Sequence, residues 1–263
     1  VFARGFQRGG CEGFSDIVVN GAVTAGHQDS PAVAMDSPGA FVVVWRDDND
    51  GNGKGQIYAR GFHGDASEDF ALLTVNSVAT GDQRSPAIGM APGGSFVVAW
   101  EDNSDDGDGA GNFDIHARSF LSGGAAQVAD LVVNANTGGQ QLAPAVATAG
   151  SGAFVVTWED DTDDNGLFQI KARGFNGDGV GTIGQFTVNS VAAGQQRSPE
   201  IAMDAGGGFV IVWEDDSDAS DGSGNLDVFA RGFDASGAER FPDLRVNTSA
   251  GGQQRAPAVA MRP

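Results

Sequence analysis

Short apolar runs alternate with polar, glycine-rich segments along the whole chain. Four runs are apolar or nearly so at every position and end in tryptophan: FVVVW (41–45), FVVAW (96–100), FVVTW (154–158) and FVIVW (209–213). Such a run, bounded by turn residues, is typical of a strand covered on both faces. Shorter runs such as PAVAM, IYARGF and LLTVN lie between Gly-, Asp- and Asn-rich turns, and nothing has helical periodicity. The pattern predicts an all-β chain.

The same pattern recurs at a nearly constant interval. The tryptophans are 55, 58 and 55 residues apart, at Trp45, Trp100, Trp158 and Trp213. Three further landmarks occur five times each: the Arg of an ARGF motif, the Asn of a VN pair, and a Pro that follows a Gln by three residues. The chain is therefore one unit repeated, with full units at 31–85, 86–143, 144–198 and 199–256 and partial units at 1–30 and 257–263.

A unit of 55–58 residues with four short strands predicts the blade of a β-propeller, with FVVVW and PAVAM as inner strands. A linear β-solenoid is the alternative. Because the ARGF motif (once ARSF) occurs five times and the Trp run four times, the units form either a ring of about five blades with one incomplete, closed by the partial terminal units, or a fragment of a longer repeat array.

The charge narrows the range of partners. Fifteen Lys and Arg stand against 35 Asp and Glu, a formal net charge of −20 over 263 residues. Nucleic acids and anionic membranes both require a basic face, so neither is expected as a partner. Insertion into a membrane is not expected either, because no apolar run approaches the length of a membrane-spanning helix.

Each full unit carries an acidic segment directly after its Trp run. Two of these segments, at 48–53 and 161–166, match the pattern D-x-D-x-N-G, in which alternate residues of a tight turn can direct oxygen ligands inward. A bound Ca²⁺ would relieve the repulsion between these carboxylates, whereas the alternative is a set of solvated acidic turns. The predicted Ca²⁺ ligands are Asp48, Asp50, Asn52, Asn103, Asp105, Asp108, Asp161, Asp163, Asn165, Asp216, Asp218 and Asp221.

These half-motifs between two strands resemble the calcium loops of FG-GAP-type propeller repeats, as in integrin α-subunits and bacterial secreted proteins. The whole repeat (GxQxxPxVAM, FVVxW, acidic loop, ARGF, VN) looks like arrays in large exported bacterial proteins. The resemblance implies an extracellular or cell-surface, calcium-stabilised binding or scaffold module.

The repeated aromatic and guanidinium groups are the weaker candidates for ligand binding: Trp45, Trp100, Trp158, Trp213, Arg60, Arg118, Arg173 and Arg231. Their alternative role is packing between blades. Catalysis finds little support, since the three His fall at different repeat positions and carboxylates that recur in every unit are not the signature of a single active site.

We therefore expect a non-catalytic, lectin-like binding or adhesion module, with a glycan or a surface protein as its partner. A structural scaffold subunit of a larger assembly or homo-oligomer is the first alternative, and a polysaccharide-active enzyme the second.

Overall fold

The structure is a computed structural model that describes residues 1–7, 10–21, 25–104, 111–217, 224–249 and 251–262. Its described residues form 18 β-strands and no helix, so none could cross a membrane as a helix. The strands make five sheets, four of four strands and one of two. The prediction of an all-β propeller with one incomplete blade is confirmed.

Each sheet is a simple antiparallel meander, and we number the sheets as blades. Blade 1 comprises β3 (His27–Met35), β4 (Phe41–Asp48), β5 (Gln56–Phe62) and β6 (Glu68–Thr74). Blade 2 comprises β7 (Gln83–Met90), β8 (Phe96–Asp102), β9 (Asp114–Phe120) and β10 (Leu131–Val132). Blade 3 comprises β11 (Gln140–Thr148), β12 (Phe154–Asp161), β13 (Gln169–Phe175) and β14 (Gly181–Thr187). Blade 4 comprises β15 (Gln196–Met203), β16 (Phe209–Asp215), β17 (Asp227–Phe233) and β18 (Glu239–Arg245), and blade 5 comprises β1 (Phe2–Phe6) and β2 (Glu12–Val18).

The first strand of each complete blade lies nearest the common axis. These strands contact one another in order, β3 with β7, β7 with β11 and β11 with β15. At one end of the axis, corresponding residues of five repeat units line a single depression: Met35, Met90, Thr148, Met203 and Met261. The segment around Met261 therefore occupies the first-strand position of the fifth unit.

The core lies between neighbouring blades and not within any one of them. Because successive side chains of a strand point to opposite faces, a fully apolar second strand can pack on both neighbours. In blade 1, Phe41, Val43 and Trp45 pack towards blade 5, whereas Val42 and Val44 pack towards blade 2. This explains why these strands lack the polar alternation of a one-sided sheet.

Candidate active site

The first aspartate of each acidic segment belongs to the core. The indole N–H of every repeated Trp donates a hydrogen bond to the Asp two residues later, at 3.0–3.3 Å: Trp45 to Asp47, Trp100 to Asp102, Trp158 to Asp160 and Trp213 to Asp215. All eight side chains are buried. A buried carboxylate requires such donors, so part of the acidity after each Trp run is structural.

The repeated Gln and Asn extend this contact into a network. In blade 2, the Nε2 of Gln83 donates to Asp102 Oδ1 at 3.3 Å and to the carbonyl of Thr80 at 2.7 Å. The Oε1 of Gln83 accepts from Asn76 Nδ2 at 3.3 Å, and Asn76 Oδ1 in turn accepts from the backbone N–H of Ile57 at 2.8 Å. The repeated Asn, Gln, Asp and Trp of the sequence are thus linked by hydrogen bonds inside the fold.

The candidate ligand-binding residues lie in the packing between blades. The four Trp side chains are fully buried. The four arginines each donate from Nη1 to a valine carbonyl of the preceding blade at 2.6–2.8 Å: Arg60 to Val19, Arg118 to Val75, Arg173 to Val133 and Arg231 to Val188. Each guanidinium also lies 5.1–5.6 Å from the ring centre of the Phe two residues later.

The compact acidic loops are held by hydrogen bonds within the turn. Asp48 Oδ2 accepts from the Gly53 N–H at 3.0 Å, and Asp161 Oδ2 accepts from the Gly166 N–H at 3.1 Å. The alternate residues pair with each other, Asn52 with Asp50 and Asn165 with Asp163, both at 2.7 Å. Asp48 Oδ1 is buried without a hydrogen-bond partner.

The longer acidic loops are described only in part. Asn103 accepts a hydrogen bond from the Asp82 N–H at 2.6 Å, and Asp216 accepts one from the Gln195 N–H at 2.5 Å. The other predicted ligands there lie outside the described residues: Asp105, Asp108, Asp218 and Asp221. Among the residues that are described, no three His, Cys, Asp or Glu side chains are grouped so as to hold a metal ion. Ca²⁺ as a cofactor stays a prediction from the sequence.

Three glutamates at the ends of second strands approach the axis together. Glu101, Glu159 and Glu214 directly follow the Trp of blades 2, 3 and 4, and all three are buried. Each Oε1 accepts a hydrogen bond at 2.7–2.8 Å from a backbone N–H at the first strand of the next unit, donated by Ala143, Ser198 and Ala256 respectively. In blade 1 the same position is occupied by Arg46.

The residue opposite each glutamate breaks the symmetry of the ring. Arg84 faces Glu101 and Arg197 faces Glu214 across the first and second strands, whereas Leu142 faces Glu159. Arg84 Nε bonds to Glu101 Oε2 at 2.5 Å.

Burial raises the pKa of Glu159, and the nearby carboxylates of Glu101 and Glu214 raise it further. The Ser198 N–H and the Arg197 charge oppose that shift without cancelling it. The surroundings of Glu159 therefore favour its protonated form.

A protonated and an ionised carboxyl near each other can perform general acid–base chemistry, including the cleavage of a glycosidic bond. Our sequence analysis missed these glutamates because it treated carboxylates repeated in every unit as an argument against catalysis. The signal was nevertheless present, since Arg46 and Leu142 depart from the repeat.

Comparison with solved structures bears out the propeller fold. The chain is similar to an α-L-arabinanase of Penicillium chrysogenum complexed with arabinobiose (TM-score 0.61, 16% identity, 89% of this chain and 70% of the other covered). It is also similar to the GH93 α-L-arabinofuranosidase of Fusarium graminearum with arabinobiose (TM-score 0.55, 10% identity, 85% and 67% covered). A Dyadobacter fermentans protein of unknown function matches with a TM-score of 0.55 at 13% identity, over 88% and 71%. No protein-family model matches the sequence, and no curated protein matches it significantly.

These findings correct three predictions. The neighbours are arabinanase-type glycoside hydrolase propellers, so the resemblance to FG-GAP calcium-binding repeats was wrong and no longer supports a calcium-binding module. The lectin-like or adhesion module and the scaffold subunit are contradicted by the same matches, as is the prediction that the chain is not an enzyme. Part of the acidity after each Trp run has a structural role: the Asp two residues after the Trp accepts the indole N–H, and Asp48 and Asp161 accept backbone N–H groups that close the compact turns.

Proposed function

We propose that this protein is a glycan-active hydrolase in which Glu159 is the proton donor. The observation that carries the proposal is the cluster of three buried glutamates near the axis, Glu101, Glu159 and Glu214. Of these, Glu159 has a raised pKa and lies near the other two carboxylates. The likeness to propellers that bind arabinobiose makes an arabinan-type polysaccharide the first substrate to test.

Glycosidases need one carboxyl that donates a proton to the leaving oxygen and a second that acts as base or nucleophile. Glu159 suits the first role because its surroundings hold the proton. Glu101 suits the second, because Arg84 and the Ala143 N–H both donate to its carboxylate and compensate its negative charge. The contrast between the two environments assigns the roles.

The experiment measures release of reducing sugars from linear arabinan, branched arabinan and a panel of other plant and bacterial polysaccharides. We expect Glu159→Gln and Glu101→Gln each to lower kcat by about 10²–10⁴-fold, the usual contribution of a general acid or base. Glu239→Gln is the matched control, because Glu239 pairs with Arg231 at the rim. Thermal unfolding of each variant separates lost chemistry from lost folding.

A second substrate tests the role of Glu159 specifically. An aryl arabinoside with a good leaving group needs little protonation, so Glu159→Gln should retain far more activity on it than on arabinan, whereas Glu101→Gln should lose both. Failure of the wild-type protein to cleave any glycan of the panel, or full activity of Glu159→Gln, would overturn the proposal. An extracellular or cell-surface location, where such polymers occur, stays a prediction.

A further inference from the structure

All four methionines of the chain line the depression at one end of the axis. Met35, Met90, Met203 and Met261 occupy corresponding positions of four repeat units, and Thr148 has that position in the remaining unit. This methionine depression encloses about 280 Å³. The sequence has no other methionine, because the remaining apolar positions of the repeat hold Val, Ile, Leu, Ala and aromatic residues. The repeat therefore concentrates its thioether groups at one point of the fold.

The inner strands approach each other closely at this end of the axis. A Cβ added at Gly89 would lie 3.3 Å from the methyl carbon of Thr148, so β7 and β11 are in van der Waals contact there. The turns beyond the strands are joined as well, since the Gly150 N–H donates to the carbonyl of Ala205 at 3.3 Å. These contacts hold the ends of β7, β11 and β15 around one small space.

The methionine side chains combine anchored positions with adjustable ends. Met90 packs against the core between blades 1 and 2, and Met203 against the core between blades 3 and 4. The unbranched thioether side chain is flexible and its sulfur is polarizable. Asp36 also lines the depression and accepts the backbone N–H groups of Gly39 and Ala40 at 2.8 and 2.7 Å. This carboxylate, in a chain with a formal net charge of −20, favours a cation over an anion in the depression.

We propose that the methionine depression binds a soft monovalent metal ion, copper(I), through three or four thioether sulfurs. Thioethers are soft ligands that select copper(I), whereas Ca²⁺ takes oxygen ligands and Zn²⁺ takes thiolate, imidazole or carboxylate ligands. Small residues around the methionines, Gly150 and Ala205 among them, leave room for the ion.

This site is separate from the glutamates that carry the proposed function. In blade 2, Arg84 faces Glu101 near the start of β7, and Met90 ends the same strand six residues later. Six residues of a strand span about 20 Å. Glu159→Gln should therefore leave metal binding unchanged, and metal binding does not depend on whether the protein hydrolyses glycans.

The test measures metal binding to the whole protein carrying Cys11→Ser, because the exposed Cys11 thiol is itself a soft ligand. Silver(I), a soft monovalent ion that is stable in air, is titrated calorimetrically in buffer without chloride. Copper(I) is then measured without oxygen, in competition with bicinchoninate. We expect one ion per chain with the same affinity at pH 5 and pH 7, because a thioether carries no proton that the metal must displace.

Methionine labelled with ¹³C at the methyl group identifies the ligands directly. The chain gives four such signals, and one equivalent of silver(I) should shift at least three of them. The double change Met90→Leu with Met203→Leu nearly conserves side-chain volume but removes two sulfurs. It should weaken binding by about tenfold or more while the melting temperature changes little.

Val180→Met is the matched control, because Val180 is 61% exposed in blade 3 outside the depression and its replacement adds a thioether elsewhere. This variant should bind one ion with unchanged affinity. Absence of saturable binding, a shift of fewer than three methyl signals, or unchanged affinity in the double variant would overturn the proposal. An apolar role of the methionines, as a plug of the axis, would give all three of these results.

Discussion

The buried Gln of each complete blade offers a sharp test of the polar network. Gln83→Met keeps the length of the side chain but removes its hydrogen bonds to Thr80, Asp102 and Asn76. Since each hydrogen bond contributes a net of about 0.5–1.5 kcal/mol, we expect the loss of three bonds to lower the free energy of unfolding by about 2–4 kcal/mol. Little of this comes from a cavity, because methionine is flexible and at least as large as glutamine.

The assay is thermal unfolding followed by circular dichroism, with urea unfolding as a second measure. A loss of this size lowers the melting temperature by about 4–16 °C in a domain of this class. Gln254→Met is the control, because Gln254 has the same repeat position but is only half-buried, with bonds to Gly251 and Asn247. Water can replace those bonds, so the cost should stay below about 1 kcal/mol. Equal shifts for the two variants, or no shift for Gln83→Met, would refute the network as a source of stability.

Two further predictions concern the backbone and pH. Gly139 and Gly166 both have positive φ (70° and 78°), but only at Gly139 would a new Cβ lie 1.9 Å from a backbone oxygen, that of Asp161. Gly166→Ala should therefore lower the free energy of unfolding by about 1–2 kcal/mol, and Gly139→Ala should lower it by several kcal/mol more. Similar melting temperatures for the two variants would contradict this steric explanation. Burial raises the pKa of Glu159 above its ordinary 4.5, so the folded state holds the proton more tightly than the unfolded chain, and this contribution to stability falls as pH rises from 4.5 through the raised value. Glu159→Gln should flatten the pH dependence of urea unfolding in that window, though not abolish it, since burial also raises the pKa of Glu200; parallel curves for wild type and variant would contradict this.

Repetition made most of the fold predictable. A nearly apolar run such as FVVTW, repeated every 55–58 residues, can be buried on both faces only if neighbouring units cover it, and β12 is buried at every position. The short β10, Leu131–Val132, was not foreseen, because the strand length there depends on pairing with Ala117 and His116 and not on the local apolar pattern.

The candidate site was harder to predict because its chemistry depends on contacts between units. Glu159 has the same sequence neighbours as Glu101, and only the register shows that one faces Leu142 and the other Arg84. The structural role of the Asp two residues after each Trp could be predicted more easily, because W-x-D occurs in all four full units. A period of two residues in a strand places the Trp and the Asp on the same face.

The arginine contacts between blades have a consequence for synthesis. Arg60, Arg118, Arg173 and Arg231 each donate from Nη1 to a carbonyl of the preceding blade, 40–43 residues nearer the N-terminus. At about 5–20 residues per second, the ribosome makes that acceptor about 2–9 s before its donor. When the arginine of a blade leaves the exit tunnel, the valine carbonyl that it binds in the preceding blade has already emerged. The nascent chain can therefore assemble the propeller blade by blade, in the order of synthesis.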